Sequence, residues 1–394
     1  MSYGKSLIAL QLNGCSGPSI SCNTEREPLN GLLFYFPCIH RISIIFTSMY
    51  SWRIILFPFS LIYGLIVSVR NRLFDLGIKT SRPIPGASIC IGNITVGGTG
   101  KSPLTAYIAD LFQDENPVIL SRGYGRKTKG LYIANEQSTA SDLGDEPMMY
   151  WTNFRHHIPV VVAEKRQTGI DWIRAHHPES LILLDDAYQH RAVKAGLNLL
   201  LMTYDRPVFR DLVFPAGNLR EPRSGMKRAD IALVTKCPHN LSEEAKIRFR
   251  KQIPIKPEHL FFSEVVYGEL KGLFGAVWEP FDQLILVTGI AQPEPLYRFL
   301  SENHRVEAIK FPDHHAFTRE DIDQIQQKVA TFAHQRCAVV TTEKDAVRFA
   351  EWKTILSESK IPFFVQHISL KIDREEDFKA LLKNYVVRAN ERSS

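Results

Sequence analysis

The stretch GNITVGGTGKSP, residues 92–103, follows a short apolar run and opens a helical pattern. Gly97, Gly98 and Gly100 let the backbone turn tightly and point N–H groups at phosphate oxygens. Lys101 can reach β- and γ-phosphates, and the Ser102 hydroxyl can bind Mg²⁺. The stretch departs from the usual GxxxxGKS pattern only at its first position, where threonine replaces glycine. It predicts a nucleotide-binding P-loop made of Thr95, Val96, Gly97, Gly98, Thr99, Gly100, Lys101 and Ser102.

Around this loop, short apolar runs alternate with helical patterns. A helix is predicted over KSPLTAYIADLFQD, directly after the loop. The runs that favour strands are SICIGN (88–93), PVILSRG (117–123), IPVVVAE (158–164), SLILLDD (180–186), LNLLLMT (197–203) and ADIALVTK (229–236). Such alternation predicts an α/β fold, with a parallel sheet of the P-loop NTPase type covered by helices on both faces.

The pattern changes after about residue 255. FFSEVVYGELKGL (261–273) alternates as antiparallel or linker strands do, and a second α/β series begins at LILVTGI (284–290). We therefore expect a P-loop domain at 73–254, linker strands at 255–282 and a smaller C-terminal α/β domain at 283–394.

Residues 49–72 form an apolar N-terminal segment. Its longest uncharged run, IILFPFSLIYGLIVSV (54–69), would reach about 24 Å as a helix, against roughly 30 Å of hydrocarbon. Trp52 precedes the run and Arg70 and Arg72 follow it, as residues at a membrane interface do. The segment predicts a membrane-associated helix, either a marginal span or an interfacial anchor; a buried core helix is the alternative.

Polar side chains are expected at the carboxyl ends of two strands. Asp185 and Asp186 follow SLILL, where an acid that organises Mg²⁺ belongs, although the sequence does not decide between them. SRGYG (121–125) predicts an exposed loop at the same edge, with Arg122 and Tyr124 available to a ligand.

Four further motifs are individually weak. GDEP (144–147) predicts an acidic loop, LREP (219–222) a polar loop, FPDHHAF (311–317) a loop between strand and helix, and TEKDAV (342–347) a ligand site or a helix start. Each, taken alone, is more simply a solvated turn or a helix cap.

Composition excludes several classes of protein. With 44% hydrophobic and 23% charged residues, the 394-residue chain is expected to be globular. A net charge of +6 suits anionic ligands, but no nucleic-acid-binding module is recognisable. The six cysteines form no CxxC pair and no zinc-ligand spacing, so neither a disulfide framework nor a structural metal is expected.

The order of these motifs along the chain is more specific than any one of them alone. GNITVGGTGKSP, SRGYG, GDEP, LLDDAYQH, LREP, FPDHHAF and TEKDAV follow one another after a short apolar segment. This series closely resembles the tetraacyldisaccharide 4′-kinase family, the lipid A kinases of Gram-negative bacteria, over roughly residues 49–390.

The resemblance implies roles for individual residues. Lys101 and Ser102 match the P-loop lysine and hydroxyl residue of the family, Asp145 matches its catalytic aspartate, and His314 matches the histidine of its DH motif. Tyr124, the acidic pair Asp185 and Asp186, and Glu221 match further positions of the family, so the expected metal ligands are Ser102, Asp185, Asp186 and Glu221, and Tyr124 is an expected substrate residue. Arg122 and Arg220, as cations of the polar loops, are expected to bind the phosphate that the lipid already carries.

The resemblance also implies an activity. ATP and Mg²⁺ are the expected cofactors, and the γ-phosphate is expected to pass to the 4′-hydroxyl of a tetraacyldisaccharide 1-phosphate in lipid A biosynthesis. Asp145 would accept the hydroxyl proton, with His314 orienting it across a cleft between the domains. The expected partners are this glycolipid and a membrane surface, at the cytoplasmic face of the inner membrane, with no nucleic acid and no obligate protein partner.

Three other functions fit the sequence less well. A membrane-associated partition-type ATPase switch would need lysine where Val96 stands. A GTP-dependent metallochaperone would need metal-binding cysteines and a guanine-reading TKxD, but Pro238 occupies the position of that Asp in TKCP. A non-catalytic membrane scaffold would leave the P-loop unexplained.

The first 48 residues lack the features of a signal peptide and any likeness to the family. Met49 stands directly before the segment that resembles the family's start. We therefore expect translation to begin at Met49, with residues 1–48 a gene-calling artefact or a disordered tail.

Overall fold

The computed structural model describes residues 53–332 and 334–392. The expectations for residues 1–48 and for Met49 concern the chain outside these ranges.

The strands are β1 (Arg82–Pro83), β2 (Ser88–Asn93), β3 (Val118–Ser121), β4 (Tyr132–Ile133), β5 (Val160–Val162), β6 (Ile182–Asp185), β7 (Val193–Lys194), β8 (Leu197–Thr203), β9 (Ile231–Thr235), β10 (Leu260–Leu273), β11 (Gln283–Thr288), β12 (Arg305–Lys310), β13 (Cys337–Thr342) and β14 (Phe363–Ile372). The helices are α1 (Phe57–Asp75), α2 (Lys101–Leu111), α3 (Ala140–Leu143), α4 (Asp145–Asn153), α5 (Arg166–His176), α6 (Glu243–Arg250), α7 (Glu294–Ser301), α8 (Arg319–Ala330), α9 (Glu343–Phe349), α10 (Lys353–Glu358) and α11 (Glu375–Glu391).

Twelve of the strands form one sheet, in the order β12-β11-β13-β14-β10-β9-β8-β2-β6-β3-β5-β4. Strand β2 lies between β8 and β6, and both pairings are parallel. All six of its residues are buried, as in a parallel strand covered on both faces. The α/β fold expected from the sequence is confirmed, and the carboxyl ends of β2, β3, β6 and β9 lie at one edge.

Strand β10 joins the two α/β series. Its first residues pair in parallel with β9, and the rest of the strand pairs antiparallel with β14. The stretch expected to link two domains is thus a long strand of a continuous sheet. We call residues 73–254 the P-loop half and residues 283–392 the C-terminal half; the domain boundaries themselves stay a prediction.

The last helix, α11, returns to the P-loop half. Phe378, Leu382 and Val386 are buried in the same hydrophobic cluster as residues of β2. The Tyr385 hydroxyl donates a hydrogen bond to the Ser88 carbonyl at 2.8 Å and accepts one from the Ser88 N–H at 3.0 Å. These contacts fix the C-terminal helix to the strand that carries the P-loop.

Helix α1 docks along one side on the P-loop half. The Ser60 hydroxyl accepts a hydrogen bond from the Ala216 N–H at 2.7 Å, and the Tyr63 hydroxyl donates to the Arg220 carbonyl at 3.0 Å. The other side of this N-terminal segment exposes Ile55, Phe59, Leu61, Ile62, Leu65, Ile66 and Val69. Among the described residues, the helical segment Arg53–Asp75 is the one long and apolar enough to cross a bilayer, which is weak evidence alone.

Candidate active site

The P-loop makes a tight turn beside strand β9. Gly97 and Gly100 have φ angles of 98° and 83°, a conformation that favours glycine. The Thr235 hydroxyl donates a hydrogen bond to the Thr99 carbonyl at 2.8 Å. Helix α2 begins at Lys101, so its first N–H groups lack partners within the helix and can serve a phosphate.

Charged side chains converge where the phosphates are expected. Lys101 Nζ lies 3.8 Å from Asp186 Oδ1. Arg220 Nη1 donates to both carboxylate oxygens of Asp186, at 3.0 and 3.1 Å. The Ser102 hydroxyl donates to Glu146 Oε1 at 3.1 Å. The P-loop lysine and hydroxyl therefore face carboxylates from two other elements.

Asp185 has the character of a cation ligand. The side chain is fully buried, Ser121 donates to Oδ2 at 3.1 Å, and Oδ1 has no hydrogen-bond partner among residues 53–332 and 334–392. Burial, followed by repulsion from Glu146 and Asp186, raises the pKa of Asp185 to about 7, with Lys101 opposing. A divalent cation would satisfy the buried oxygen and cancel the repulsion, so this donor set fits Mg²⁺.

The described part of the chain has no cluster of three His, Cys, Asp or Glu side chains able to enclose a metal. Mg²⁺ is commonly held by one or two carboxylates together with substrate phosphates and water. Ser102 with Asp185 or Asp186 therefore suffices as the protein's share of such a site.

Glu221 is already engaged by other side chains. Oε1 accepts hydrogen bonds from Gln189 and Arg228, both at 2.9 Å. Oε2 accepts from Arg228 at 2.8 Å and from Asn71 of helix α1 at 3.0 Å. The bond from Asn71 gives Glu221 a role in fixing α1, and its assignment as a Mg²⁺ ligand stays a prediction.

The GDEP motif is not the loop expected from the sequence, because Asp145 and Glu146 open helix α4. Gly144 precedes the helix with φ of 90°, and a Cβ there would lie 2.7 Å from the carbonyl of Tyr124. Glycine thus lets the helix start pack directly on the SRGYG loop. This contact brings both acids of GDEP to the P-loop edge of the sheet.

Asp145 and His314 form a pair across the two halves. His314 Nδ1 lies 2.7 Å from Asp145 Oδ2, and the backbone N–H of His314 donates to the Gly289 carbonyl at 3.2 Å. Arg348 Nε donates to Asp145 Oδ1 at 3.0 Å, and Arg348 Nη2 donates to Oδ2. Burial raises the pKa of Asp145, but the hydrogen bonds from His314 and Arg348 outweigh burial and lower this pKa to about 2. The hydrogen bond to Asp145 raises the pKa of His314.

These groups open into one cleft of about 1910 Å³, lined by both halves and by helix α1. Tyr124 is 76% exposed, and its ring centroid lies 5.8 Å from that of His314. Arg122 is exposed and lines the same cleft. A ligand bound against Tyr124 would therefore sit beside the Asp145–His314 pair.

The model of the family described as tetraacyldisaccharide-1-P 4′-kinase (LpxK) matches residues 52–387. The chain belongs to this family. Tetraacyldisaccharide 4′-kinase of Flavobacterium johnsoniae is 40% identical, over 85% of this chain and 97% of the relative. The Bacteroides thetaiotaomicron kinase is 38% identical, over 89% and 96%. A crystal structure of LpxK from Aquifex aeolicus in complex with ATP superposes with a TM-score of 0.66 at 28% identity, covering 85% of this chain and 99% of that one.

In this member of the tetraacyldisaccharide 4′-kinase family, two residues that contact the candidate catalytic groups, Glu146 and Arg348, are not indicated by the sequence alone. The sequence predicts an acidic turn at Glu146, yet the side chain contacts Ser102. No motif marks Arg348, yet this side chain binds Asp145 and, through Nη1 at 2.8 Å, Asp345. Asp345 and Arg348 are one helical turn apart in TEKDAVRF, a spacing that could have indicated a paired arginine.

Proposed function

We infer that the chain acts as a tetraacyldisaccharide 4′-kinase, which transfers the γ-phosphate of ATP to the 4′-hydroxyl of a tetraacyldisaccharide 1-phosphate. One observation carries this function: the P-loop and the Asp145–His314 pair line the same cleft. A phosphate donor site and a proton acceptor are the two parts that transfer to an alcohol requires. Membership of the family supports the choice of acceptor.

On the nucleotide side, residues 95–102 would surround the phosphates, and Lys101 would leave Asp186 to bind the β- and γ-phosphates. Mg²⁺, held by Ser102 and one of Asp185 and Asp186, would neutralise charge on the phosphates. Arg220, already paired with Asp186, would remain beside that carboxylate and face the phosphates. The protein's contribution here is positioning and charge stabilisation.

On the acceptor side, Asp145 accepts the proton of the 4′-hydroxyl as its oxygen forms the new bond to phosphorus and the bond to ADP breaks. A carboxylate with a pKa of about 2 holds that proton poorly. His314, which donates its Nδ1–H to Asp145 Oδ2, orients this carboxylate towards the hydroxyl, and Asp145 releases the proton to water that enters the cleft once the product has left. We propose that Tyr124 and Arg122 hold the glycolipid next to this pair.

The alternative of a partition-type ATPase is not supported. Val96 stands where that class needs lysine. The family model and the kinase relatives instead match the chain over most of its length.

We also propose that helix α1 holds the enzyme at the cytoplasmic face of the inner membrane. The exposed residues Phe59, Ile62, Ile66 and Val69 of α1 follow a spacing of three and four, which places them on one stripe. The opposite side is hydrogen-bonded to the P-loop half. A helix bound to protein along one side and apolar along the other is suited to lying in the membrane plane.

Replacing Phe59, Ile62 and Ile66 together with glutamine is expected to release the protein from membranes. Each change removes one exposed apolar side chain, which should weaken membrane binding by about tenfold. Sedimentation with anionic vesicles measures the bound fraction, and Val387→Gln on α11 is the matched control because Val387 is also exposed. A triple variant that sediments like the control would refute the membrane role of this stripe.

The function itself is tested with purified protein, ATP, Mg²⁺ and a tetraacyldisaccharide 1-phosphate dispersed in detergent. We expect ADP to appear in equal amount with a lipid product heavier by one phosphate. Formation of ADP at the same rate without acceptor, and no lipid product, would instead identify an ATPase.

A further inference from the structure

Lys344 is a cation of the active-site cleft to which the proposed function gives no role. It belongs to TEKDAV, the motif that follows strand β13, and lies near the start of helix α9. The side chain is 30% exposed and lines the cleft together with Lys101, Ser102 and Asp186. Its element comes from the C-terminal half, whereas the P-loop comes from the other half.

The contact made by Lys344 places it beside the P-loop. Lys344 Nζ donates to Glu146 Oε1, the same oxygen that accepts the Ser102 hydroxyl at 3.1 Å. Only one carboxylate oxygen therefore separates this ammonium from the hydroxyl expected to bind Mg²⁺. A phosphate bound at Ser102 and Lys101 would lie within reach of Lys344.

Glu146 and Lys344 are both charged and could each take a new partner when nucleotide binds. Burial raises the pKa of Glu146, but the charges of Lys344 and then Lys101 outweigh burial and lower this pKa to about 2. Burial lowers the pKa of Lys344, but the neighbouring Glu146 carboxylate keeps this pKa above its ordinary value. The ammonium therefore stays charged at neutral pH. A bound Mg²⁺ would compete for Glu146, and the phosphates would offer Lys344 a new anion.

A purely structural role explains Lys344 less well. The two halves are already joined at this point by the buried contact of Arg348 with Asp145 and by a hydrogen bond of 3.0 Å from Asn153 to Glu343. A partly exposed lysine directed into the cleft adds little to these connections. Its position instead matches that of a second cation on a transferring phosphoryl group.

We propose that Lys344 is a further catalytic residue, which leaves Glu146 to bind the γ-phosphate of ATP and to stabilise its charge during transfer. The inference rests on the proposed function. In this arrangement the C-terminal half supplies a cation for the phosphoryl group, Lys344, and the partner of the proton acceptor, His314. Lys344 forms no covalent bond and transfers no proton.

The test is Lys344→Gln, because the glutamine amide can still donate to Glu146 but carries no charge. We expect kcat to fall roughly 100-fold, as for other groups that stabilise charge in the transition state. Affinity for a non-hydrolysable ATP analogue should fall about tenfold while affinity for ADP stays unchanged, because only the analogue carries a γ-phosphate. Lys353→Gln, at an exposed lysine of α10, is the matched control.

A kcat within threefold of the control would overturn the proposal. Equal losses of affinity for ADP and for the analogue would also overturn it. A lower kcat with an unchanged ratio of the two affinities would do the same, because the role of Lys344 would then be to hold Glu146 in place. Calorimetric binding needs no lipid acceptor. If the unmodified protein fails to phosphorylate the glycolipid but Lys344→Gln still loses its preference for the analogue, the proposed function fails and the γ-phosphate contact stands.

Discussion

Lys101→Ala is expected to lower the rate of phosphoryl transfer by roughly 100-fold or more and to leave the fold intact. The side chain is buried at the start of α2, and its ion pair with Asp186 is a long one of 3.8 Å. Asp186 keeps its two hydrogen bonds from Arg220, and alanine is a good helix former. The loss should therefore fall on the bound phosphates rather than on the folded protein.

The measurement is ATP-dependent phosphorylation of the disaccharide lipid, with circular dichroism and thermal melting as the test of folding. Lys129→Ala, which removes an exposed lysine of the same half, is the control and should match the unmodified protein. If Lys101→Ala retained more than about a tenth of the activity, the P-loop would not bind the transferred phosphate as described.

Asp145→Asn and His314→Ala are each expected to slow transfer by roughly 100-fold or more, which is the usual contribution of a positioned proton acceptor. The double variant should be little slower than the slower single variant, because residues that act as a unit lose their joint contribution once. His315→Ala is the matched control for His314: the neighbouring ring contacts Asp321 at 2.8 Å.

Asp145→Asn also removes the carboxylate that Arg348 binds, so its stability must be measured with its rate. The loss of one partner of a buried pair costs up to about 3–5 kcal/mol, and Arg348 retains Asp345 as a second partner. Rate losses that multiply in the double variant would show that Asp145 and His314 serve separate steps. The cross-cleft pair would then have to be abandoned.

Much of the sheet was predictable because its signals are local. SICIGN and LNLLLMT match β2 and β8 residue for residue, and FFSEVVYGELKGL matches all but the first residue of β10. Buried parallel strands show as continuous apolar runs, and the P-loop marks the start of α2 through its glycines. These features depend on the chemistry of neighbouring residues alone.

Other features depend on distant partners. The alternation in β10 indicated a strand, but not that one strand would pair with both β9 and β14. The helical start at GDEP rests on the close packing of Gly144 against the SRGYG loop. Strand β12, with mostly exposed residues, gave no apolar run to recognise.

The residues of the candidate site also divide into those marked by the local sequence and those that depend on distant partners. Lys101, Ser102, Asp185 and Asp186 could be singled out because their positions relative to strands carry chemical meaning. Asp145 and His314 were assigned through the resemblance to the family, because a pairing between residues 169 positions apart leaves no local signal. Glu146 and Arg348 became visible only once the chain was folded.

The most direct test of the account is the position of the new phosphate. Product made by the purified protein from ATP and tetraacyldisaccharide 1-phosphate would be examined by phosphorus–proton correlation NMR, with an acceptor lacking the 4′-hydroxyl in parallel. The account predicts a phosphate monoester at the 4′ position and no product from the deoxy acceptor. Phosphate at another position, or equal phosphorylation of the deoxy acceptor, would contradict it.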